Sequence, residues 1–129
     1  MTRNQDIVDR YMDGFRKTDR EQILSCLTDD VVWKIPNAFE TKGKAAFATH
    51  IVDEGFSGRP DITVGRLIEG DDVVVAEGSV RAARTDGTTM HLVFCDVFDM
   101  REGKIARLVS YLMQIETEGR GPSASIIAD

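Results

Sequence analysis

A chain of 129 residues is long enough for one domain with a sizeable hydrophobic core and too short for two ordinary domains. Hydrophobic residues make up 42% and charged residues 29%, which is typical of a soluble globular protein and excludes intrinsic disorder. A net charge of −6 disfavours binding to the phosphate backbone of nucleic acids. No apolar run approaches the roughly 18 residues of a membrane helix, so no membrane partner is expected.

The amino-terminal part of the chain predicts two helices. Apolar residues recur at helical spacing over residues 4–17, with charged residues between them. Either Thr2 or Asn4 can cap this amphipathic helix, because each has a side-chain oxygen that accepts a hydrogen bond from the first turn. The pair Thr18 and Asp19 then begins a short second helix that is expected to reach Leu27.

A strand and a third helix follow. The β-branched and aromatic run 31–35 stops at Pro36 and predicts a strand. Residues 43–54 predict a helix whose Ala-rich face carries Phe47, and the glycines that follow mark its end.

The second half of the chain has strand character. Four segments are strand-like, namely 62–68, 73–84, 88–100 and 105–115. Short glycine-containing turns separate them, which predicts an antiparallel meander, and their length indicates a sheet curved enough to enclose a cavity. Helices followed by a curled, mostly antiparallel sheet predict an α+β fold with one domain over residues 1–115. Residues 116–129 are rich in glycine, serine and charge and predict a flexible tail.

Sequence motifs for metal, cofactor or nucleophilic chemistry are missing. His50 and His91 are the two histidines, and neither stands at a metal-ligand spacing, so no metal site is expected. Residues 119–124 formally match a dinucleotide fingerprint, but they contain Pro122 and open no βαβ unit. No cofactor is therefore expected.

The two cysteines indicate the cellular compartment in which the protein functions. Cys26 and Cys95 are far apart in the sequence and have apolar neighbours. They are expected to be buried free thiols rather than a disulfide, which is typical of a cytoplasmic protein.

Six short patterns follow one another along most of the chain. They are Val8-x-x-Tyr11, Leu24-x-x-Leu27-Thr28-Asp29-Asp30-Val31-Val32-Trp33, Gly43-Lys44-Ala45-Ala46-Phe47, Asp86-Gly87, Phe94-x-Asp96-Val97-Phe98 and Gly103-Lys104-Ile105. Their order resembles the nuclear transport factor 2-like superfamily and, within it, the SnoaL-like (polyketide cyclase-like) group. The resemblance implies a cone-like α+β barrel, in which a curled sheet wraps the first helix around a deep apolar cavity. It also implies a homodimer formed through the outer face of the sheet.

The resemblance supplies two candidate catalytic residues. In ketosteroid isomerases a tyrosine on the first helix and a protonated aspartic acid on the penultimate strand donate hydrogen bonds to a developing oxyanion. Tyr11 and Asp96 match these two positions. The catalytic base of those enzymes would fall at Ile35, which cannot take a proton, so isomerisation by that mechanism is expected to be lost.

Function within such a superfamily stays open, because its members include isomerases, dehydratases, cyclases, epoxide hydrolases and pure binding domains. The Asp–Arg–Asp group with which limonene epoxide hydrolase activates water would fall at Val80, Gly78 and Ser110, so that mechanism is also expected to be lost. The first hypothesis is an acid/base enzyme of isomerase, cyclase or dehydratase type that acts on a small apolar carbonyl- or hydroxyl-bearing molecule. The alternatives are a non-catalytic binding domain for a small hydrophobic ligand and a protein-association module.

Strand alternation gives an independent reason to select Asp96. Side chains two residues apart share a face of a strand, so Asp96 belongs to an otherwise apolar row. Burial disfavours the charged carboxylate and moves its pKa towards values useful for proton transfer. The alternative is a structural acid that is hydrogen-bonded to Tyr11 or to the backbone.

The remaining predictions concern the two faces of the sheet. Residues expected to line the ligand cavity are Phe15, Trp33, Ile35, Phe47, Gly78, Val80, Leu92, Phe94 and Phe98. The opposite face carries Glu77, Ser79, Arg81 and His91, a mixture that suits a dimer interface.

Overall fold

The computed structural model describes residues 1–52 and 54–115, so the predicted tail lies outside the described residues. The three helices are α1 (Arg3–Lys17), α2 (Arg20–Ser25) and α3 (Lys44–Ala48). The strands are β1 (Leu27–Ile35), β2 (Phe39–Lys42), β3 (Phe56–Gly70), β4 (Val73–Arg84), β5 (Thr89–Arg101) and β6 (Lys104–Gln114). In the described ranges no helix has the length and apolarity needed to cross a membrane.

Helix α1 has well-defined caps at both ends. Thr2 is the N-cap, and its side chain accepts a hydrogen bond of 3.1 Å from the backbone N–H of Gln5. The Gln5 side chain bonds back to the Thr2 backbone N–H, which completes a capping box. The helix ends at Thr18, which adopts a left-handed conformation, and the basic residues Arg16 and Lys17 stand in the last turn where the helix dipole favours them.

The six strands form one sheet in the order β2-β1-β6-β5-β4-β3. The last four strands pair in sequence order and antiparallel, which confirms the predicted meander. Strand β1 pairs parallel with β6 and antiparallel with β2. The α+β class with three helices on a mostly antiparallel sheet is therefore confirmed. The sheet stays open, with β2 and β3 at its edges, rather than closing into a barrel.

The predicted third helix was too long. Helix α3 ends at Ala48 instead of residue 54, and the chain continues in tighter i→i−3 turns. The hydrogen bonds from Thr49 N to Ala46 O and from Ile51 N to Ala48 O show this change. The physical reason is that three of the four residues after Ala48 are β-branched, namely Thr49, Ile51 and Val52, and such residues lose side-chain freedom in a helix.

Three strand predictions also needed correction. Strand β1 begins at Leu27, which had been expected in the second helix, and β3 extends well beyond residues 62–68. Strand β2 was not predicted, because its Glu40, Thr41 and Lys42 form no apolar run. It exists because it pairs with β1, as the second strand of a hairpin that turns at residues 36–38.

Helix α1 lies against the sheet and supplies the centre of the core. It contacts β3, β4 and β6, which requires the sheet to curl around it. Tyr11 on α1 packs edge-on against Phe98 of β5 at a ring separation of 5.4 Å, and Trp33 of β1 stacks on Phe47 of α3 at 4.3 Å. Full burial of such side chains contributes about 1.5–3 kcal/mol each, so these contacts fix the helix relative to the sheet.

Gly14 marks the closest approach between α1 and α2, and it yields a prediction about stability. A Cβ atom at Gly14 would lie 2.8 Å from Cγ1 and 3.2 Å from the backbone nitrogen of the fully buried Ile23. Overpacking of this kind costs about 1–3 kcal/mol, against a gain of about 1 kcal/mol for alanine over glycine in a helix. We expect Gly14→Ala to lower the free energy of unfolding by about 1 kcal/mol, measured by urea denaturation.

The matched control is Gly70→Ala, because no atom lies within 4 Å of a Cβ built at Gly70. Its free energy of unfolding should stay close to that of the wild type. A Gly14→Ala variant as stable as the wild type would show that the two helices do not pack closely at this position.

Candidate functional site

An apolar cavity lies between α1 and the sheet and has a volume of about 150 Å³. It is called the inner cavity here. Its lining residues are Tyr11, Met12, Phe15, Trp33, Ile35, Ile62, Val80, Leu92, Phe94, Asp96, Ser110 and Leu112. Most of these side chains are apolar, so the few polar groups among them decide what chemistry the cavity can support.

The lining follows from the periodicities of the elements. Tyr11 and Phe15 are four residues apart on α1 and therefore share its sheet-facing side. Leu92, Phe94 and Asp96 alternate along β5 and share one face of that strand. Ser110 stands directly opposite Asp96 in the antiparallel register of β5 and β6.

Asp96 is the buried carboxyl of the inner cavity. Its side chain is almost inaccessible, with 8% of the residue exposed, and its Oδ1 atom has no hydrogen-bond partner among the described residues. Burial raises the pKa of Asp96 from 3.8 to about 7, and a hydrogen bond from Ser110 lowers this pKa in part. The carboxyl group can therefore both give and take a proton near neutral pH.

Tyr11 is the second polar group that reaches this region from α1. Its ring is surrounded by Phe15, Phe47 and Phe98 in edge-on contacts. Burial raises the pKa of the Tyr11 phenol well above its usual value, and the negative charge of Asp96 raises this pKa further. The phenol thus keeps its proton at neutral pH and can act as a hydrogen-bond donor.

Ser110 connects Asp96 to the only tryptophan of the chain. The indole Nε1–H of Trp33 donates a hydrogen bond of 3.1 Å to Ser110 Oγ. Because the indole can only donate, the Ser110 oxygen acts as the acceptor there, and its own hydroxyl hydrogen stays available for Asp96. Trp33 and Ser110 together therefore orient a hydrogen-bond donor towards the carboxyl group.

Sequence reasoning did not identify Ser110 as a functional residue. It had been noted only as a position where an epoxide hydrolase would need an acid. The available signal was alternation, because Ser110 is the one polar residue between Leu108 and Leu112 in a row two residues apart. Met12, Ile62 and Leu112 were not predicted as lining residues either.

The structure brings most of the predicted site residues together. Those that line the inner cavity are Tyr11, Phe15, Trp33, Ile35, Val80, Leu92, Phe94 and Asp96. Phe47 and Phe98 lie beneath them, fully buried in the core. Gly78 is not among the residues that line the inner cavity. A Cβ atom there would collide with the backbone oxygen of Thr63 on β3 and approach the Phe94 ring to 2.7 Å, so glycine leaves room for both.

A second cavity of about 330 Å³ shares part of its wall with the first and is called the outer cavity here. Phe15, Val80 and Leu112 line both cavities. Its other lining residues are Thr18, His50, Ile51, Val52, Phe56, Ser57, Gly58, Pro60, Ala82 and Met90. The outer cavity is therefore larger than the inner one and has more polar groups in its wall.

His50 stands at the edge of this region and not among metal ligands. Its ring stacks on Phe39 with a centroid separation of 3.9 Å and is exposed to solvent. The described residues contain no group of three or more histidine, cysteine or acidic side chains that could hold a metal ion.

The outer face of the sheet carries several exposed apolar side chains. Val93, Tyr111 and Met113 lie there with exposed fractions of 36%, 53% and 62%. They surround a shallow depression that Glu77 and the half-buried Cys95 also line. Both cysteines are free, but only Cys26 is fully buried, so the prediction of two buried thiols was wrong for Cys95.

Comparison with known proteins places this geometry in a family. The model of the SnoaL-like domain matches residues 8–108. No curated protein sequence matches the chain significantly.

Solved structures give the same fold. The structure of TerC co-crystallized with polyporic acid is 28% identical, covers 84% of this chain and 90% of its own, and has a TM-score of 0.76. A putative polyketide cyclase from Xanthomonas campestris pv. campestris is 24% identical over 84% of this chain and 89% of its own, with a TM-score of 0.77. An NTF2-like protein of unknown function from Burkholderia pseudomallei K96243 is 19% identical over 88% and 92%, with a TM-score of 0.80.

These matches confirm the resemblance that the six sequence patterns indicated. The family match runs from within α1 to within β6 and includes Tyr11 and Asp96. The chain belongs to the SnoaL-like domain family and has the NTF2-like fold.

Proposed function

We propose that this protein is an acid/base enzyme that acts on a small, largely apolar molecule with a carbonyl or hydroxyl group. The observation that carries the proposal is the carboxyl of Asp96 in the wall of an apolar cavity, whose buried Oδ1 atom has no hydrogen-bond partner in the part of the chain that the structure describes. Asp96 is the group that exchanges a proton with the substrate, and Tyr11 donates a hydrogen bond to the substrate oxygen. The proposal requires no metal and no organic cofactor.

The chemistry can be written for a ketone in the inner cavity. The Asp96 carboxylate takes a proton from the carbon next to the carbonyl, and the electrons of that C–H bond form a carbon–carbon double bond. The carbonyl π electrons move onto oxygen, where the Tyr11 hydroxyl stabilises the developing negative charge. Protonated Asp96 then returns the proton to the same carbon, which exchanges its hydrogen, or to another carbon of a conjugated enolate, which completes an isomerisation. In a cyclisation, the enolate carbon instead forms a bond to a second carbonyl carbon of the same molecule, and the oxygen of that carbonyl takes the proton from Asp96.

The unpaired oxygen argues against a purely structural role for Asp96. A structural acid has its oxygens paired, because an unsatisfied buried polar atom costs about 1–3 kcal/mol. Here the Ser110 side chain hydrogen-bonds to the carboxyl group, and the Oδ1 atom has no partner within residues 1–52 and 54–115. Proteins retain such costly groups at functional sites, where the perturbed pKa is useful. A small-molecule ligand is further supported by the similarity to TerC, which was crystallised with polyporic acid.

A non-catalytic binding domain is the second candidate. It is favoured by Ile35, an apolar side chain in the cavity wall where ketosteroid isomerases carry their base. It is also favoured by Val80 and Ser110, which stand where an epoxide hydrolase would carry acids. A binding domain would use the same cavity, and its Asp96 would only orient the ligand.

We further propose that two copies associate through the outer sheet face and that the protein acts in the cytoplasm. The exposed apolar side chains of Val93, Tyr111 and Met113 support the dimer, because burying them against a second copy removes them from water. The two free cysteines support a reducing compartment.

Proton exchange tests the enzymatic proposal without knowledge of the natural substrate. The protein is incubated in D₂O with cyclohexanone, 1-indanone or acetophenone, and loss of the hydrogens next to the carbonyl is followed by proton NMR. We expect accelerated exchange with at least one ketone, and Asp96→Asn should lower this rate by about 100-fold or more. The rate should rise with pH to a plateau with a midpoint of about 7, because only the ionised carboxyl takes a proton.

The matched control for this experiment is Asp99→Asn, three residues along the same strand. Asp99 is partly exposed on the other face and lies 3.5 Å from Arg107, so its loss removes one carboxylate outside the cavity. Exchange should continue at the wild-type rate in this control. Binding of these ketones without any exchange would refute the catalytic proposal and favour the binding domain.

The pH dependence of stability is a separate prediction about Asp96. Its pKa in the folded protein is raised, so stability is greatest at low pH and is lost as the pH rises from about 4 to about 7. A shift from 3.8 to about 7 corresponds to about 4 kcal/mol at most. We expect Asp96→Asn to be more stable than the wild type at pH 8 by a few kcal/mol, with the difference vanishing near pH 4.

This difference is measured by urea denaturation of both proteins at several pH values. Asp99→Asn again controls for the removal of one acidic group and should show a much smaller pH-dependent difference. If Asp96→Asn were equally destabilising at pH 4 and pH 8, the carboxyl of Asp96 would not be buried in the way described.

The dimer is tested by light scattering of the protein as it elutes from a size-exclusion column. We expect twice the mass of one chain for the wild type and the mass of one chain for Met113→Lys, because a charge cannot be buried in an apolar interface without a partner. Val52→Lys is the matched control, since Val52 is 54% exposed but lies after α3 and away from this face. A wild type with the mass of one chain would contradict the proposal.

A further inference from the structure

The inner cavity has an acidic side chain in its wall and no basic side chain to balance it. Among the described residues that line this cavity there is no lysine, arginine or histidine. The Oδ1 atom of Asp96 has no hydrogen-bond partner within the described ranges, and 8% of the residue is exposed. A buried carboxylate is stabilised by a positive charge close to it. Such a partner for Asp96 would have to come from a bound molecule.

Aromatic rings form a large part of the remaining wall. They belong to Tyr11, Phe15, Trp33 and Phe94. The centroid of the Phe15 ring lies 5.1 Å from that of Tyr11 and 6.1 Å from that of Trp33. The face of an aromatic ring attracts cations, and sites that contain several such rings bind ammonium ligands in other proteins. The rings and the carboxyl group of Asp96 therefore favour the same sign of charge in a ligand.

The energetic balance also favours a cation. A cation that enters an apolar site loses part of its hydration, which opposes binding. The carboxyl group of Asp96, however, has already lost its hydration in the folded protein, and this burial raises its pKa to about 7. A bound cation therefore loses only its own hydration and gains a carboxylate that lacks a partner. The net charge of −6 on the chain attracts cations from solution as well.

We propose that the inner cavity binds a small protonated amine with an apolar body, whose ammonium group pairs with the ionised carboxyl group of Asp96. The apolar body contacts the aromatic and aliphatic side chains of the wall. This inference goes beyond the proposed function, because binding of the amine involves no proton transfer to or from carbon. An anionic ligand is rejected, since it would bring a second negative charge next to Asp96.

Binding of such an amine is coupled to the protonation of Asp96. A simple aliphatic amine, like the lysine side chain, stays protonated up to a pH of about 10. Asp96 has a pKa of about 7, so at pH 6 most of its carboxyl groups carry a proton. Pairing with an ammonium group favours the ionised carboxylate and releases this proton. The affinity for the amine should therefore rise as the pH increases from 5 to 8.

The other titratable groups around Asp96 keep their protons over this pH range. Tyr11 faces it from α1, and burial raises the pKa of its phenol well above the usual value. Cys95 precedes it on β5, and burial raises the pKa of its thiol as well. The residues opposite Asp96 on the neighbouring strands, Ala76 and Ser110, do not titrate. The expected pH dependence therefore originates from Asp96.

Three ligands with the same ring test the inference by isothermal titration calorimetry. Cyclohexylamine, cyclohexanol and cyclohexanecarboxylate place a cation, a neutral group and an anion on one cyclohexane ring. At pH 8 we expect the amine to bind more tightly than the alcohol by about tenfold or more, and the carboxylate to bind more weakly than the alcohol. At pH 5 the affinity for the amine should be lower than at pH 8 by about tenfold or more.

The number of released protons is a second readout. It is obtained from titrations at pH 6 in two buffers that differ in their enthalpy of ionisation. Each bound amine should release close to one proton, because Asp96 is mostly protonated before binding and ionised afterwards. Cyclohexanol should release none. This measurement uses only the wild-type protein.

Two matched variants assign the effect to one carboxyl group. Asp96→Asn keeps nearly the same shape without the charge, so the preference for the amine over the alcohol and the proton release should both disappear. Asp99→Asn removes a carboxylate that lies 3.5 Å from Arg107 outside the cavity, and both effects should persist. Because both variants change the net charge equally, their comparison excludes a general attraction of cations to the protein. Circular dichroism and thermal melting check the folding of each variant.

The inference is overturned if cyclohexylamine binds to the wild type at pH 8 no more tightly than cyclohexanol. Persistence of the preference in folded Asp96→Asn also overturns it, and so does amine binding at pH 6 without proton release. Ketone exchange is a separate measurement. Amine binding without ketone exchange would refute only the proposed catalysis, whereas ketone exchange without a preference for the amine would overturn only this inference.

Discussion

The burial of one carboxyl group without a charge partner is the constraint on which the rest of this structure depends. Asp96 can stay in the apolar wall only because helix α1 and the curled sheet pack tightly around it. The ring contacts of Tyr11 with Phe47 and Phe98 fix that helix, and Tyr11 lines the same cavity as the carboxyl. The same packing thus buries the carboxyl group, raises the pKa of Asp96 and keeps the proton on the Tyr11 phenol.

Much of the fold could be predicted because its signals are local. The ends of α1 follow from a capping threonine and a clear apolar periodicity, and the meander follows from three glycine-containing turns. The parallel pairing of β1 with β6 could not be predicted in this way, since it joins segments that are about 75 residues apart in sequence. Strand β2 depends on its partner rather than on its own residues, and α3 stops where β-branched residues begin.

In the candidate site, too, some residues could be predicted from one segment of sequence, whereas others depend on contacts between segments. Alternation along β5 singled out Asp96, because a lone acid in an apolar row is visible in one segment of sequence. Ser110 required the register between β5 and β6, and the outer cavity required the position of α1 over the sheet. Phe47 and Phe98 were predicted to line the cavity, but both are fully buried in the core. An inward-facing residue lines a cavity only where the helix leaves space above it, and above these two residues it does not.

The hydrogen bond between Trp33 and Ser110 affects the fluorescence of the protein. The chain contains one tryptophan, so all indole fluorescence comes from a single side chain in the wall of the inner cavity. Its Nε1–H is bonded to the serine that in turn interacts with Asp96. Ionisation of the carboxyl and entry of a ligand both change the electric field and the polarity around this indole. The protein therefore carries an intrinsic reporter, and the state of its site can be observed without any label.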